Sequence, residues 1–382
     1  MFRLFQVHRN KDRLLADETT TSAKLKMEDV AKYCMVYCIL TLDLVLKVKM
    51  IHALYGLSCV TVTGLQKYVL TGEQRKSFNV ISKKATEMNY FINKNALPIP
   101  PAGYQGATVL DASIGFHEQP ILGLDFASLY PSIMQAYNLC FSTCEWNKDR
   151  ITKCKLLNDE DRETWTHLVQ FEEGQQTQTV DVSFVKAEIR KGVLPALLED
   201  LLNARRATKK KMKAAKTEFE KMIYDQLQQA YKISCNSIYG FCGVTGIRDK
   251  DCLEYPDCCG RFHKSCSCYR GLLANFWIAQ TVTQQGRTLI SETIKHVQAK
   301  WPDSKIVYGD TDSCYVNPNL PATPAGIKEA FKLGEEMANH VTRFFPKPIE
   351  LEFEKIMCPF LQVAKKRYLY VEWNEILLLF HL

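Results

Sequence analysis

The stretch Lys305-Ile306-Val307-Tyr308-Gly309-Asp310-Thr311-Asp312-Ser313-Cys314-Tyr315-Val316 constrains this chain more than any other. It predicts strand, tight turn, strand. Ile306, Val307 and Tyr308 suit a pleated, part-buried surface, and so do Tyr315 and Val316 beyond the turn. Gly309 permits a backbone conformation that other residues resist. The turn carries two carboxylates two positions apart, and like charges held that close repel unless a cation sits between them. Mg²⁺ takes a few carboxylates plus substrate phosphates, so such a turn suits it. Ordinary hairpin turns share this composition for local reasons, so the stretch alone leaves both readings open.

The bulk of the chain narrows the field. Its 382 residues allow two or three domains or one large multi-lobed enzyme. Apolar residues at 46% and charged residues at 24% are the proportions of a soluble globular protein. A net charge of +7 permits a polyanionic partner without demanding one. The 15 cysteines are odd in number, and Met1 to His8 hold no apolar run of signal-peptide length. Reduced thiols inside a cell are therefore expected. The most apolar stretch, Cys34 to Val48, is interrupted by Asp43 and Lys47 and is too short and too charged to span a bilayer. The expectation is a soluble, intracellular protein with no membrane partner.

Periodicity places the elements. Helices are expected over 28–55 and 74–92, followed by a proline-marked linker at Pro98, Pro100 and Pro101. Strands are expected at 106–110 and 120–126, and the polar residues 145–182 read partly as a surface excursion. Val193, Leu194, Leu197, Leu198, Leu201 and Leu202 form one apolar helical stripe, with Pro195 in its first turn. The stripe gives way to Arg205, Arg206, Lys209, Lys210, Lys211, Lys213 and Lys216. A second helix, about 219–239, returns through Met222, Ile223, Leu227, Ala230 and Ile233. Further helices are expected at 271–299 and 325–345, and strands at 349–354 and 367–373. No internal repeat or low-complexity tract is present.

Three segments add chemistry to the acidic turn. In Gly123-Leu124-Asp125-Phe126-Ala127-Ser128-Leu129-Tyr130-Pro131-Ser132-Ile133, Asp125 closes an apolar strand before a turn into a helix. Its carboxylate could complete a metal site with Asp310 and Asp312, and N–H groups near Ser128 and Leu129 could hold a phosphate. A helix-capping Asp would look the same. Arg205, Lys209 and Lys213 share a helical face, which suits a triphosphate tail but also an ordinary solvated surface. Lys232, Asn236 and Tyr239 also share a face, setting a cation, an amide and a flat aromatic in a row. Such a row can touch the phosphate, sugar edge and base of a nucleotide, or simply be the polar side of an amphipathic helix.

In order and kind these segments resemble family B DNA polymerases. Asp125 to Ile133 is similar to the family's first palm motif, Lys232 to Gly240 to its fingers motif, and Tyr308 to Ser313 to its second palm motif. Tyr104-Gln105-Gly106-Ala107-Thr108-Val109, Leu351-Glu352-Phe353-Glu354-Lys355 and Lys365-Lys366-Arg367-Tyr368 also match. Asn138-Leu139-Cys140-Phe141-Ser142-Thr143 most resembles the herpesvirus and eukaryotic replicative, delta-like branches. The resemblance covers nearly all of residues 28–373.

It implies an α+β fold: a right-hand palm whose antiparallel sheet carries the acidic hairpin, with helical-hairpin fingers. The implied parts are an exonuclease-domain remnant and linker (1–103), palm (104–185), fingers (186–246), a Cys-rich insert (247–270) and palm again (271–382). It implies DNA-directed DNA synthesis, adding a deoxynucleoside monophosphate from a dNTP to a primer 3′-hydroxyl. Asp125, Asp310 and Asp312 would be catalytic, with Asp125 and Asp312 binding two Mg²⁺ ions. Ser128, Leu129, Tyr130, Arg205, Lys209, Lys232, Asn236 and Tyr239 would meet the dNTP, with Tyr130 excluding a 2′-hydroxyl. Tyr308, Gly309, Lys365, Lys366, Arg367 and Tyr368 would meet primer–template DNA, where sequence reading is weak. A processivity factor would be an accessory partner, and the nucleus the site of action, a host nucleus if the gene is viral.

Three departures from the family pattern stand out. Tyr37 of Tyr33-Cys34-Met35-Val36-Tyr37 occupies the place of an exonuclease metal-binding Asp, so no proofreading is expected. The chain stops where a thumb would follow, so weak primer–template grip is expected. The 247–270 insert holds Cys252, Cys258, Cys259, His263, Cys266 and Cys268, ligand types suited to Zn²⁺, although an irregular loop or non-coding sequence would serve as well. The competing expectation is an idle polymerase remnant that binds DNA or nucleotide only. An RNA polymerase or reverse transcriptase fits poorly, given the Lys232 to Gly240 motif and the bulky Tyr130.

Overall fold

Apolar residues on both faces of Ile121–Phe126 mark a strand buried in the middle of a sheet, and the structure places it there. The computed structural model describes residues 21–91, 105–145, 159–169, 178–243 and 275–373. In chain order the elements are α1 (Thr21–Lys47), α2 (Met50–Val60), α3 (Leu65–Leu70), α4 (Glu73–Glu87), β1 (Gly115–His117), β2 (Ile121–Phe126) and α5 (Leu129–Ala136). There follow β3 (Cys144–Glu145), β4 (Arg162–Val169), β5 (Gln178–Val185), α6 (Val193–Ala214), α7 (Glu218–Cys242) and α8 (Phe276–Lys300). Last come β6 (Lys305–Asp310), β7 (Ser313–Asn317), α9 (Pro324–Thr342), β8 (Leu351–Ala364) and β9 (Arg367–Trp373). The fold is therefore a mixture of helices and antiparallel sheet. None of the described helices is long and apolar enough to cross a membrane.

By its contacts the chain divides into two units, Met1–Leu70 with Thr208–Ala230, and Thr71–Ala207 with Tyr231–Leu382. In the first, α2 packs on α7 near its middle: a Cβ on Gly56 would lie 3.8 Å from Ala230 Cβ. The second unit holds both sheets. Its six-stranded sheet has the order β1-β8-β2-β7-β6, with β9 on the other side of β8, and every pairing is antiparallel. Ile121, Val307, Tyr308, Tyr315, Met357 and Phe360 form one core cluster, joined by Val109, Ala112, Tyr368 and Tyr370. α9 lies so close to β8 that a Cβ on Gly334 would meet the Phe353 ring at 2.4 Å.

A buried polar knot ties the end of α5 to the entry of α6. Asn138, 1% exposed, takes the left-handed conformation (φ 52°). Its amide donates to the carbonyls of Val185 at 2.7 Å and Arg190 at 2.8 Å, and its Oδ1 accepts the Gly192 N–H at 2.8 Å. A Cβ on Gly192 would strike Cys140 Cβ at 2.6 Å.

Several expectations need correction. The helix expected over 28–55 is two helices, because Lys49 turns left-handed (φ 53°) between them, and apolar periodicity cannot register one such residue. Residues 106–110 make only an isolated bridge, Val109 to Asp310, not a strand. The expected excursion at 145–182 includes most of a second sheet, β3-β5-β4. Val180, Val182 and Phe184 alternate with polar residues, and Phe184 packs edge-on to Trp165 at 5.5 Å. β8 runs to Ala364, well past the expected strand at 349–354. Tyr104 and the Cys-rich 247–270 insert, with the zinc ligands suggested there, lie outside the described residues.

Candidate functional site

The acidic turn joins β6 to β7, as its residues demand. Gly309 serves by its smallness: a Cβ would meet Leu110 Cδ1 at 2.7 Å and the Ser313 carbonyl at 2.9 Å. Its φ is not in the left-handed region; Thr311 takes that conformation instead (φ 59°). This corrects the expectation that Gly309 is needed for a backbone conformation other residues resist.

β2 lies against β7 with Asp125 opposite Ser313, and the Phe126 N–H donates to the Asp312 carbonyl at 2.9 Å. The residues bearing these two carboxyls are thus adjacent across the strand pair. Asp125 is half-buried and also faces Glu352 of β8. Its carboxyl is pushed up to about 7, first by burial, then by the charges of Asp312, Glu354 and Glu352, against the pull of Lys355. Asp312 is raised as well, again first by burial, with Asp310 and Glu354 adding to the shift and Lys232 opposing it. A cation would relieve this shared strain. Among the described residues no group of three or more His, Cys, Asp or Glu side chains could hold an ion. Two carboxylates that leave the remaining positions to water and phosphate fit Mg²⁺, which rarely uses an all-protein cage.

Asp310 is placed differently. Its Oδ2 pairs with Lys366 Nζ at 3.0 Å and its Oδ1 accepts from Thr311 Oγ1 at 3.0 Å. The Lys366 N–H donates to the Tyr308 hydroxyl at 2.9 Å, and Lys365 pairs with Asp111 at 2.8 Å. The β8–β9 turn is thereby fastened over the strand that carries Asp310. Tyr308 is 1% exposed and Gly309 is also buried, while Lys365, Lys366 and Arg367 are exposed. Tyr368 is half-buried, its hydroxyl 2.9 Å from that of Tyr315.

On α7, Lys232 and Asn236 are exposed and Tyr239 is half-buried, while Cys235 and Ile238 are buried. The polar row is real, and its Lys232 end lies in electrostatic range of Asp312. The Tyr239 ring lies 4.3 Å from that of Tyr130. Arg205 of α6 is close enough to Cys235 to oppose the burial that pushes that thiol up to about 12. Lys209 follows Arg205 by one turn on α6, in the other unit. Ser128 is left-handed (φ 50°) and starts α5, while the Leu129 side chain is 3% exposed, so only its backbone is offered to a ligand.

The pattern of DNA polymerase family B matches residues 63–248 and 265–376. The chain belongs to that family. Within family B it is similar to DNA polymerase delta catalytic subunits. It is 35% identical to that of Glycine max over 354 residues, 91% of this chain and 29% of the relative. Against that of Schizosaccharomyces pombe the identity is 36% over 311 residues, 80% of this chain and 25% of the relative. With Caenorhabditis elegans it is 34% over 355 residues, 89% and 28%. This family B chain thus spans less than a third of the length of these relatives. The residues that the family pattern passes over, 249–264, fall inside the Cys-rich segment.

Sequence reading gave no role to Glu352 and Glu354, whose charges act on Asp125 and Asp312. The signal was present: two exposed acids alternating with Leu351 and Phe353 in a strand. It also passed over Arg287, which lies in a helix without a motif.

Proposed function

We propose that this chain carries the nucleotidyl-transfer centre of a DNA-directed DNA polymerase acting in the nucleus on primer–template DNA and dNTPs. The six-stranded sheet serves as palm, and α6 with α7 as fingers. The observation that carries the reading is the Phe126–Asp312 backbone bond, which sets Asp125 and Asp312 side by side with Lys232 in electrostatic range.

Asp125 and Asp312 would hold two Mg²⁺ ions, which when bound lower the pKa of a primer hydroxyl and neutralise triphosphate charge. The chain's own residues do the rest. Lys232 and Arg205 offset charge on the triphosphate. N–H groups after Ser128 face a phosphate at the start of α5. Tyr130, backed by Tyr239, forms a flat floor that leaves no room for a 2′-hydroxyl, and Asn236 lines the nascent base pair. Asp310 neutralises Lys366 until DNA arrives, and Lys365, Lys366, Arg367 and Tyr368 then meet the primer–template backbone, supported by Tyr308 and Gly309 beneath. A primer-extension assay with Mg²⁺ tests the reading. Wild type should add nucleotides and Asp312→Ala should not; no extension by wild type at high enzyme and DNA concentration would leave a binding-only remnant.

A further inference from the structure

The Thr283–Arg287 turn of α8 gathers pieces of the site from distant parts of the chain. Arg287 Nη1 donates to the carbonyls of Gln105 at 2.8 Å and Gly106 at 2.6 Å. Thr283 Oγ1, one turn earlier, donates to the Gln105 carbonyl at 2.9 Å. Between them Gly286 makes room for a ring: a Cβ there would lie 3.4 Å from Tyr130 Cε1. Downstream of Gly106 the chain runs along β6. The Thr311 N–H donates to the Thr108 carbonyl at 3.1 Å, and the Leu110 N–H to the Gly309 carbonyl at 2.9 Å. One helical turn therefore sets the register of both Tyr130 and the segment braced against Gly309–Thr311.

We infer that Arg287 is a positioning residue for nucleotide selection. It acts through Gln105–Gly106 and the Tyr130 floor rather than by touching substrate, and the inference rests on the polymerase reading. Both bonds come from one nitrogen, and an arginine suits the task because the two N–H groups of that nitrogen lie fixed in the guanidinium plane, whereas a lysine offers one compact, rotating charge on a flexible stem. Without Arg287 the 105–110 segment keeps the Thr283 contact and its bonds to β6 but loses two of its bonds to α8, and the floor beneath the sugar loses its registered neighbour. Discrimination against a 2′-hydroxyl depends on that floor holding still, so it should fall before the chemistry does.

The test combines single-nucleotide incorporation by the full chain with hydrogen exchange at the Leu110 and Thr311 amides. In Arg287→Ala the preference for a dNTP over the matching rNTP should drop about tenfold, the order expected for a lost charge-assisted contact. KM for the dNTP should rise more than kcat falls, and both amides should exchange faster. Arg287→Lys should lie between wild type and Arg287→Ala. Thr283→Val, which removes only the hydroxyl contact, should move both readouts in the same direction by less. If Arg287→Ala does not fold, those two variants carry the comparison. Unchanged discrimination in an active enzyme overturns the inference, whether or not exchange quickens. A wild-type chain that incorporates nothing refutes instead the polymerase reading, and the selection role falls with it.

Discussion

Lowering the pH from 7 to 5 should remove about 2 kcal/mol of stability through one side chain, His167. This histidine of β4 is 2% exposed and meets α8, with Nε2 at 3.0 Å from Thr281 Oγ1 and its ring 6.1 Å from that of Trp277. The Thr281 hydroxyl already donates to the Trp277 carbonyl at 2.7 Å, so its oxygen accepts and His167 donates from Nε2. Burial is the main reason the imidazole is held neutral, its pKa pushed down to about 4 from an ordinary 6.5. The sign follows from which state binds the proton. Above pH 6.5 neither folded nor unfolded chain binds it. Between 6.5 and 4 the unfolded chain does and the folded chain does not, so stability is lost as the pH is lowered through this range. The full loss, about 2.5 units at roughly 1.4 kcal/mol each, is some ~3.4 kcal/mol and is complete only below pH 4, with about 2 kcal/mol falling between pH 7 and 5. Urea unfolding of wild type and His167→Gln, followed by tryptophan fluorescence at both pH values, isolates this share because other groups cancel in the difference. Equal losses in the two proteins, or a folded-state His167 titration near 6.5, would refute the reasoning.

Other residues yield equally direct expectations. Asn138→Ala leaves three buried backbone groups without their partner and should cost roughly 3–5 kcal/mol in denaturant unfolding. Gly309→Ala should destabilise by about 1–3 kcal/mol through its clash with Leu110, and Leu110→Ala in the same chain should restore part of that loss. Lys366→Gln should leave the fold intact, weaken primer–template binding, and lower the slope of log affinity against log salt by about one. In metal-free protein, Asp312→Asn should lower the Asp125 titration by about one unit from its value near 7, since burial still acts after the neighbouring charge is gone; carboxyl NMR reads it, and no change would remove the proposed coupling.

The elements that sequence showed best are those whose pattern repeats. The α6–α7 hairpin and the β6–β7 turn lie where the apolar stripe and the Gly-Asp-Thr-Asp run put them. The face shared by Lys232, Asn236 and Tyr239 was likewise readable, because helical spacing alone decides it. What escaped was non-local. Nothing near Asp125 announces that Glu352 will stand opposite it, since strand pairing is settled between distant segments. Nor does residue type distinguish Asp310, bound to Lys366, from Asp312, set beside Asp125. Gly309 was flagged for the wrong property, because a glycine needed for closeness and one needed for conformation look the same in a sequence.

The strand order has a consequence for how the protein is made. β2 sits between β7 and β8, which begin only at Ser313 and Leu351, far beyond it in sequence. During synthesis β2 therefore leaves the ribosome with both of its hydrogen-bonding edges open and its apolar residues unpaired. It stays so until β7 and β8 have been translated. Such edges template pairing with other chains, and contacts of this sequence separation form slowly. The segment that carries Asp125 is thus exposed to mispairing while the chain is being made, and Asp125 and Asp312 can come together only after β7 has emerged.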